Sequence, residues 1–389
     1  MPGSSTNGAF FLAPTGEEAT MPPLPDMFHW GPVDFHPHLL YRVLYGNGIQ
    51  ALPGQDSKTV INEVYPGFSL NLGGKWSLDY TPSFSFYSNP HFRNVVNQSV
   101  DFKGAATMDD WYFSLEQSYD KSTQPLVETG AQTEQEFYLT SLGASWQVGS
   151  RLSFQFGLSQ SLRTAAAFSG LKEWETSDWA DYHFQPELSA GLGLILGYDS
   201  LTQGSDMKFE QLQGRVQWRP GTKLVFQLSG GGEERQFVNG GSPDLLSPTY
   251  GADISYQALP HTTISFNANR TVTPSLFANQ LVTSTSYSLS LRQGLSRKFS
   301  LQVAGDYSNR PFQSIQVIPL PTAPFGANPV RALQVDRTDS QWSVVTTLDW
   351  AFVPRATASV FYSTGKNSTG VAGFSYSTSQ AGMSLAYRF

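Results

Sequence analysis

The last ten residues of the chain alternate strictly between two kinds of side chain. Met383, Leu385, Tyr387 and Phe389 are apolar, and small or polar residues separate them. In a β-strand, successive side chains point to opposite sides of the sheet, so this segment predicts a strand with one apolar and one polar face. The two-residue period restricts the fold more than any other feature, because it recurs from Leu39 to the C-terminus.

Tight turns followed by new alternating runs occur many times along the chain. After Gly73-Gly74, for example, Trp76, Leu78 and Tyr80 alternate with polar residues. Two alternating runs joined by two such residues predict a β-hairpin. Longer links rich in Gly, Pro, Asn, Ser and acidic residues separate the hairpins. We expect these links near residues 47–58, 88–94, 120–133, 163–177, 200–206, 237–248, 273–281, 310–333 and 365–373.

Alternation of short turns and long links is typical of membrane-spanning β-barrels. We therefore predict an all-β fold, a transmembrane antiparallel up-and-down β-barrel of roughly 18 strands, with about 16 as the alternative. Short turns would face the periplasm and long loops the outside. Residues 1–36 are predicted to form an extended periplasmic arm and residues 37–389 the barrel in the outer membrane. A soluble propeller, solenoid or sandwich with aromatic residues in its core is the other interpretation of the alternation.

The composition is consistent with a β-sheet that has lipid on one side and water on the other. Only 14% of the residues are charged, whereas soluble domains carry charge on about a quarter of their residues. The net charge of −7 and the lack of a basic run exclude nucleic acid as a partner. No apolar stretch is long enough for a transmembrane helix. The first residues do not resemble a signal peptide, so we expect that one has been removed or is absent from this sequence.

The faces of the predicted strands differ in charge. Placing Lys or Arg at the lipid midplane costs about 2–4 kcal/mol, so the charged positions within the strands are predicted to face the lumen. These positions are Arg42, Asp79, Asp101, Lys103, Glu116, Glu187, Arg215, Asp253, Arg270, Arg292, Asp306, Asp349 and Arg388.

The sequence contains no recognisable catalytic motif. Gly191-x-Gly193-x-x-x-Gly197 has the wrong spacing for a dinucleotide-binding loop, and no helix pattern follows it. There is no nucleophile elbow and no zinc-protease motif. We predict that the protein is not an enzyme and has no cofactor, no metal site and no catalytic residues.

One long link is unusually apolar and rich in proline. An apolar loop is unlikely to stay extended in water, so residues 310–331 are predicted to constrict the lumen, cap its outer mouth or pack against another subunit. The residues that define this candidate constriction loop are Arg310, Phe312, Pro319, Pro321, Pro324, Phe325 and Arg331.

Several segments resemble known bacterial barrels. Gly31-Pro-Val-Asp-Phe-His-Pro-His-Leu-Leu-Tyr41, Tyr65-Pro-Gly-Phe-Ser-Leu-Asn-Leu-Gly-Gly-Lys-Trp-Ser-Leu-Asp-Tyr80 and the repeated turn units are similar to β-barrel porin families of Gram-negative bacteria, in particular a group associated with exopolysaccharide export. The C-terminal pattern resembles the assembly signal of outer-membrane barrels. This resemblance implies an outer-membrane pore and recognition by the barrel-assembly machinery through Gly382, Leu385, Tyr387 and Phe389.

Three functions remain open at this point. A passive porin would pass small hydrophilic solutes by diffusion through a polar lumen, because a barrel of this size is too wide for side chains alone to fill. A conduit for exopolysaccharide or another polymer would use aromatic residues in the lumen, such as Tyr112 and Phe361. A non-conducting scaffold would hold a partner subunit. The expected partners are outer-membrane lipid and lipopolysaccharide, the barrel-assembly machinery, and an envelope subunit bound through the N-terminal arm.

Overall fold

The alternating segments form strands wherever the chain can be followed. A computed structural model describes residues 28–47, 58–126, 131–166, 168–238, 244–314, 336–371 and 374–389. Within them, 18 antiparallel strands follow one another in chain order. They are β1 (Val33–Gly46), β2 (Thr59–Leu72), β3 (Trp76–Tyr80 and Ser83–Tyr87), β4 (Val95–Met108), β5 (Trp111–Leu126), β6 (Ala131–Val148), β7 (Leu152–Ala165), β8 (Leu171–Gln185), β9 (Leu188–Leu201), β10 (Met207–Trp218), β11 (Leu224–Phe237), β12 (Leu245–Leu259), β13 (Thr262–Pro274), β14 (Gln280–Gly294), β15 (Phe299–Ser314), β16 (Arg337–Val353), β17 (Ala356–Thr369) and β18 (Tyr376–Arg388).

The first and last strands close the sheet into a barrel. β1 pairs with β18 from His38 opposite Arg388 to Gly46 opposite Gln380. Closure leaves no free sheet edge along this seam, which an antiparallel sheet needs before it can sit in hydrocarbon. The predicted closed barrel of about 18 strands is therefore confirmed.

β3 is one strand with a local interruption. Its two segments are separated by Thr81-Pro82, and both pair with β2 on one side and β4 on the other. Proline has no N–H to donate to a neighbouring strand, so the ladder breaks at Pro82 and resumes after it.

The turns are short at one end of the barrel, which we call the short-turn end; the opposite end is the long-loop end. Gly73 and Gly74, predicted as a tight turn, both have positive φ angles, of 59° and 66°. Positive φ at both central residues of a two-residue turn matches the twist of the flanking strands, and glycine adopts it without strain.

The strands at the long-loop end are longer than predicted. β5 extends to Leu126 and β6 begins at Ala131, so most of the expected link at residues 120–133 is strand. Likewise, β8 begins at Leu171, inside the expected link at 163–177. Polar residues in these stretches keep the two-residue period, and the ends of β5 and β6 pair with each other as far as Leu126 opposite Ala131.

Apolar side chains cover the exterior face of the barrel. On β9, Leu192, Leu194 and Leu196 point outward, and Leu192 is 69% exposed. The intervening Gly191, Gly193 and Gly197 lie on the interior face with Asp199. A wall that is apolar outside and polar inside reverses the usual arrangement of a soluble protein.

The described part of the N-terminal arm joins the barrel directly. β1 begins at Val33, and His29-Trp30 folds back to pair with Asp34 and Val33. The rings of Phe28 and Phe68 both contact Phe35, with centroid distances of 5.9 and 5.6 Å. Residues 1–27 lie outside the described residues. No helix in the described part of the chain is long and apolar enough to cross a membrane.

Candidate functional site

The strand register assigns most of the predicted lumen positions to the interior face. Asp349, for example, lies between the exposed Leu348 and Trp350 in sequence and pairs with Ser300 and Ser359 on neighbouring strands. The positions that share the interior face in this way are Arg42, Asp79, Asp101, Lys103, Glu116, Arg215, Asp253, Arg292, Asp306, Asp349 and Arg388.

Two predicted lumen positions lie elsewhere. Glu187 is in the short turn between β8 and β9, where its carbonyl oxygen accepts a hydrogen bond from the Arg219 N–H at 2.7 Å. Arg270 pairs with Tyr250 and therefore shares the exterior face with that exposed tyrosine. Its Nε donates to the Pro248 carbonyl oxygen at 3.1 Å. The prediction for Arg270 was wrong because its charge was given more weight than its position: it follows Ile264, Phe266 and Ala268 at two-residue steps and so shares their exterior face.

Several arginines on the interior face share one arrangement, in which the guanidinium pairs with a carboxylate and stacks on an aromatic ring. Arg215 on β10 bonds both oxygens of Asp181 on β8, with Nε to Oδ1 at 2.8 Å, and its guanidinium carbon lies 4.1 Å from the centroid of Trp179. The planar fork of arginine suits a bidentate carboxylate, and the ring favours a cation over its face.

A second group of this kind is more deeply buried. Arg235 on β11 is 2% exposed; it donates to Glu233 at 2.8 Å and to Asp199, and it lies 4.6 Å from the ring of Phe209. Its Nη2 also donates to the Val272 carbonyl oxygen at 3.1 Å. Removing one partner from such a buried ion pair costs about 3–5 kcal/mol, so the group holds this part of the wall rigid.

The glycines of β9 make room for the rings. A Cβ atom at Gly193 would overlap the Trp179 ring, and one at Gly197 would overlap the Phe209 ring. A Cβ at Gly191 would overlap the Asp181 carboxylate. The glycine spacing that does not fit a dinucleotide-binding loop therefore has a structural origin: the neighbouring side chains lie flat across the bare backbone of β9.

The hairpin formed by β13 and β14 separates from β12 at the long-loop end, although β14 stays paired with β15 at Gln280–Val282. Pairing between β12 and β13 reaches only as far as Tyr250 and Arg270, although β12 continues to Leu245 along β11. Beyond this point, residues 271–283 fold into the barrel. We call this segment the inner hairpin.

The tip of the inner hairpin contacts the opposite side of the mouth. Arg163 on β7 donates from Nη2 to the carbonyl oxygens of Pro274 and Ser275, at 3.2 and 3.3 Å. The Ser169 N–H donates to the Leu276 carbonyl oxygen at 2.9 Å, and Leu276 is 1% exposed. The hairpin thus spans from β13 to β7 and narrows the lumen.

Two further contacts hold the same tip. The rings of Phe277 and Phe168 meet edge to face, with centroids 5.5 Å apart. The Ser205 N–H donates to Oδ1 of Asn279 at 3.1 Å. The hydrogen bond gives the Ser205 N–H a partner, and the ring contact adds apolar burial at the tip.

Apolar residues support the inner hairpin from behind. Val272 and Leu281 pack on Met207 of β10, and Leu201, Phe237 and Leu245 surround them. These side chains belong to the interior faces of β9–β12, which are otherwise polar. The cluster provides the apolar burial that offsets the ladder bonds lost to β12.

Other buried groups also lie toward the long-loop end. Phe92, between β3 and β4, packs on Leu44 and Ile61, with Tyr87 and Phe361 beside them. Arg337 at the start of β16 bonds Asp339 at 3.2 Å and stacks between Phe312 and Phe374 at 4.5 and 4.0 Å. By contrast, Lys103 and Glu116, nearer the short-turn end, are half exposed. The lumen is therefore narrow at the long-loop end and wider toward the short turns.

The predicted constriction loop and the inner hairpin are different segments. Arg310 and Phe312 belong to β15, while Pro319, Pro321, Pro324, Phe325 and Arg331 lie outside the described residues. The inner hairpin was expected only as a link at 273–281. Its apolar Leu276-Phe277 pair, unusual in an otherwise polar loop, is the signal that could have found it.

Within the described ranges, no group of three or more His, Cys, Asp or Glu side chains is arranged to hold a metal ion. The carboxylates of the interior face pair instead with arginine, lysine, serine and threonine.

By sequence, this chain matches neither a family profile nor a curated protein. Solved structures with a similar fold include OccK3 (OpdO) of Pseudomonas aeruginosa, at 14% identity over 92% of this chain and 96% of that one, with a TM-score of 0.47. OpdK of the same organism, solved with vanillate, is similar at 12% identity over 92% and 98% of the two chains, with a TM-score of 0.44. The siderophore receptor PirA of P. aeruginosa shows 10% identity over 91% and 80%, with a TM-score of 0.43. The function of this chain follows only from its own residues.

Proposed function

We propose that the protein is a diffusion channel of the bacterial outer membrane that passes small hydrophilic solutes. The observation that carries this proposal is the closed barrel with an apolar exterior and a polar interior, whose side chains are more exposed toward the short-turn end. An unpaired backbone N–H or C=O group in hydrocarbon carries a large cost in free energy. A closed barrel avoids this cost because each strand is paired on both sides. About 18 strands enclose a space too wide for side chains alone to fill.

Aromatic residues mark the two interfaces of the proposed membrane span. At the short-turn end, Trp111 and Trp146 stack 5.5 Å apart on the exterior face. At the long-loop end, Tyr287 lies between Tyr250 and Tyr307. Such rings favour the boundary between acyl chains and head groups. Because the short turns of outer-membrane barrels face the periplasm, we propose the same orientation here.

Lipid and lipopolysaccharide are the surroundings this exterior suits. Beyond Tyr119 and Tyr138 on the exterior face, Lys121 pairs with Glu134 at 2.9 Å and Glu136 at 3.6 Å. The position of both acids on strands, beyond the aromatic residues, fits a polar head-group layer.

Assembly of the barrel is proposed to use its last strand. Leu385 on β18 pairs with Tyr41 of β1, so the predicted assembly signal forms part of the closing seam. We further propose recognition of Leu385, Tyr387 and Phe389 by the barrel-assembly machinery. Binding of an envelope subunit through the arm is proposed only for residues 1–27, outside the described residues.

Single-channel recording in planar bilayers tests the proposed function. Stable, open conducting steps from the purified protein are expected, and liposomes carrying it should swell in small sugars faster than in large oligosaccharides. Absence of conductance at every voltage, from protein shown to be folded by heat-dependent migration, would contradict the channel and favour a scaffold.

Export of a polymer is the alternative to a diffusion channel, and it was suggested by the interior aromatic residues. Tyr112 is exposed on the interior face, whereas Phe361 is partly buried against the cluster of Leu44, Ile61 and Phe92, which leaves less of its ring for stacking on sugars. The inner hairpin also narrows the path for a chain of linked sugars. Block of the channel by micromolar polysaccharide, without block by its monomer, would favour export over diffusion.

A further inference from the structure

An excess of acidic side chains lies beside the inner hairpin. Glu173 and Glu175 of β8 occupy the interior face, two residues apart, and both lie close to Asp199 on β9. Glu233 on β11 completes a group of four carboxylates around Arg235. We call this group the acidic wall.

The arginines near the acidic wall do not balance its charge. Arg235 is committed to Asp199 and Glu233, with 2.8 Å between its Nε and Oε1 of Glu233. Arg163 donates to two carbonyl oxygens of the inner hairpin. Glu173 receives a long hydrogen bond of 3.5 Å from Ser161, and both Glu173 and Glu175 remain partly exposed toward the lumen.

Only part of the acidic wall can be reached by a solute. Glu173 lies opposite Asp199 across the ladder, and a hydrogen bond joins the two side chains, which requires a proton on one of the two carboxyl groups. Asp199 is 0% exposed, whereas Glu173 and Glu175 are partly exposed. A cation that carries N–H groups would donate to the exposed oxygens of these two glutamates.

A second part of the wall, formed by β3–β5, also carries excess negative charge. Asp79 and Asp101 stand directly opposite each other on β3 and β4, a pairing of like charges that destabilises a sheet. Asp120 and Glu116 lie on the same interior face of β5, where Lys103 pairs with Glu116 at 3.1 Å. A solute that crosses the barrel would therefore pass two negative regions.

We propose that this channel prefers cationic solutes, in particular small organic ammonium or guanidinium compounds, and that Glu173 and Glu175 are the residues that determine this preference. The inference rests on the proposed channel function. Carboxylates on a low-dielectric wall raise the local concentration of cations and repel anions, most strongly where the lumen is narrow.

The reversal potential across a bilayer with a KCl gradient tests the preference. The wild-type channel is expected to be more permeable to K⁺ than to Cl⁻ and to admit lysine in preference to glutamate. The double variant Glu173→Gln/Glu175→Gln should lower the K⁺/Cl⁻ permeability ratio by about twofold or more at 0.1 M salt, where the Debye length is about 10 Å, and by less at 1 M.

Glu210 and Glu234 provide a matched control. They pair directly on the exterior face of β10 and β11, at the same end of the barrel. The variant Glu210→Gln/Glu234→Gln removes the same charge from the other side of the wall and is expected to leave the permeability ratio unchanged. Glu175→Gln alone serves if the first double variant does not fold.

The outcomes separate this inference from the proposed function. Folded protein without conductance overturns the channel itself. A conducting wild-type channel that is non-selective or prefers anions overturns the cation preference and leaves the channel standing. An unchanged ratio in Glu173→Gln/Glu175→Gln, in a channel that does prefer K⁺, overturns the role of these two glutamates.

Discussion

At the scale of single residues, the interior face is held together by close contacts between aromatic rings, arginines, carboxylates and glycines. Trp179 lies flat over Gly193, and Arg215 stacks on the same ring while it bonds Asp181. Glycine is required at position 193 because the Trp179 ring lies over it. Without such a contact, a strand disfavours glycine. The residue types of neighbouring strands are therefore coupled across the ladder.

Replacing Gly193 with valine should destabilise the barrel by about 1–3 kcal/mol, because the new side chain overlaps the Trp179 ring. Urea unfolding in detergent micelles, followed by tryptophan fluorescence, measures the change. Gly232 on the exterior face of β11 has no atom within 4 Å of an added Cβ, so Gly232→Ala is the control and should unfold near the wild-type midpoint. Equal effects of both variants would contradict the role given to Gly193.

Arg235→Met should cost about 3–5 kcal/mol, because it leaves Asp199 and Glu233 buried without their cation. Adding Asp199→Asn and Glu233→Gln should recover part of the loss, since the buried negative charge is then removed. The same unfolding measurement compares the single and triple variants. If the triple variant were less stable than Arg235→Met, uncompensated charge would not be the cause.

At the scale of elements, the inner hairpin is the segment that departs from a regular barrel. Two prolines, Pro248 and Pro274, lie on the separated stretches of β12 and β13 and cannot donate ladder bonds. Arginine side chains bond two of the carbonyl oxygens along the separated edges, Arg270 that of Pro248 and Arg235 that of Val272. Apolar packing on Met207 then holds the hairpin inside the lumen.

Releasing the tip of the inner hairpin should widen the proposed channel. Arg163→Ala removes the bonds to the carbonyl oxygens of Pro274 and Ser275. We expect larger single-channel steps and more frequent transitions between levels. Lys172→Ala, on the exterior face of the same wall, is the control and should conduct like the wild type. Unchanged steps in Arg163→Ala would show that the tip does not set the size of the pore.

At the scale of the whole molecule, stability depends on the pairing of β1 with β18, which closes the barrel. Gly382 pairs with Leu44 across this seam, and an added Cβ would overlap the Phe361 ring. A clash at this position disturbs both the seam and the apolar cluster around Phe92. The last strand therefore contributes to closure as well as carrying the predicted assembly signal.

Gly382→Val should weaken closure and lower the temperature at which the barrel loses its heat-dependent migration in a denaturing gel. Gly305→Ala on β15 is the matched control, because its nearest atom would lie 3.7 Å away in ordinary contact. The cost at Gly382 should be about 1–3 kcal/mol, as for other overpacked sites. A similar temperature for both variants would argue against a special role for the seam glycine.

The sequence by itself determined the strands, their two faces and the closed barrel, because alternation is a local property of each segment. It also placed Asp79, Asp349 and Arg215 on the interior face. Only the tertiary structure decided that the inner hairpin separates from β12 and folds into the lumen. The reason is distance along the chain: the contact between Arg163 and Ser275 joins residues 112 positions apart, and no short-range pattern records it. The structural role of the β9 glycines likewise depends on side chains of β8 and β10, so the sequence of β9 alone does not reveal it.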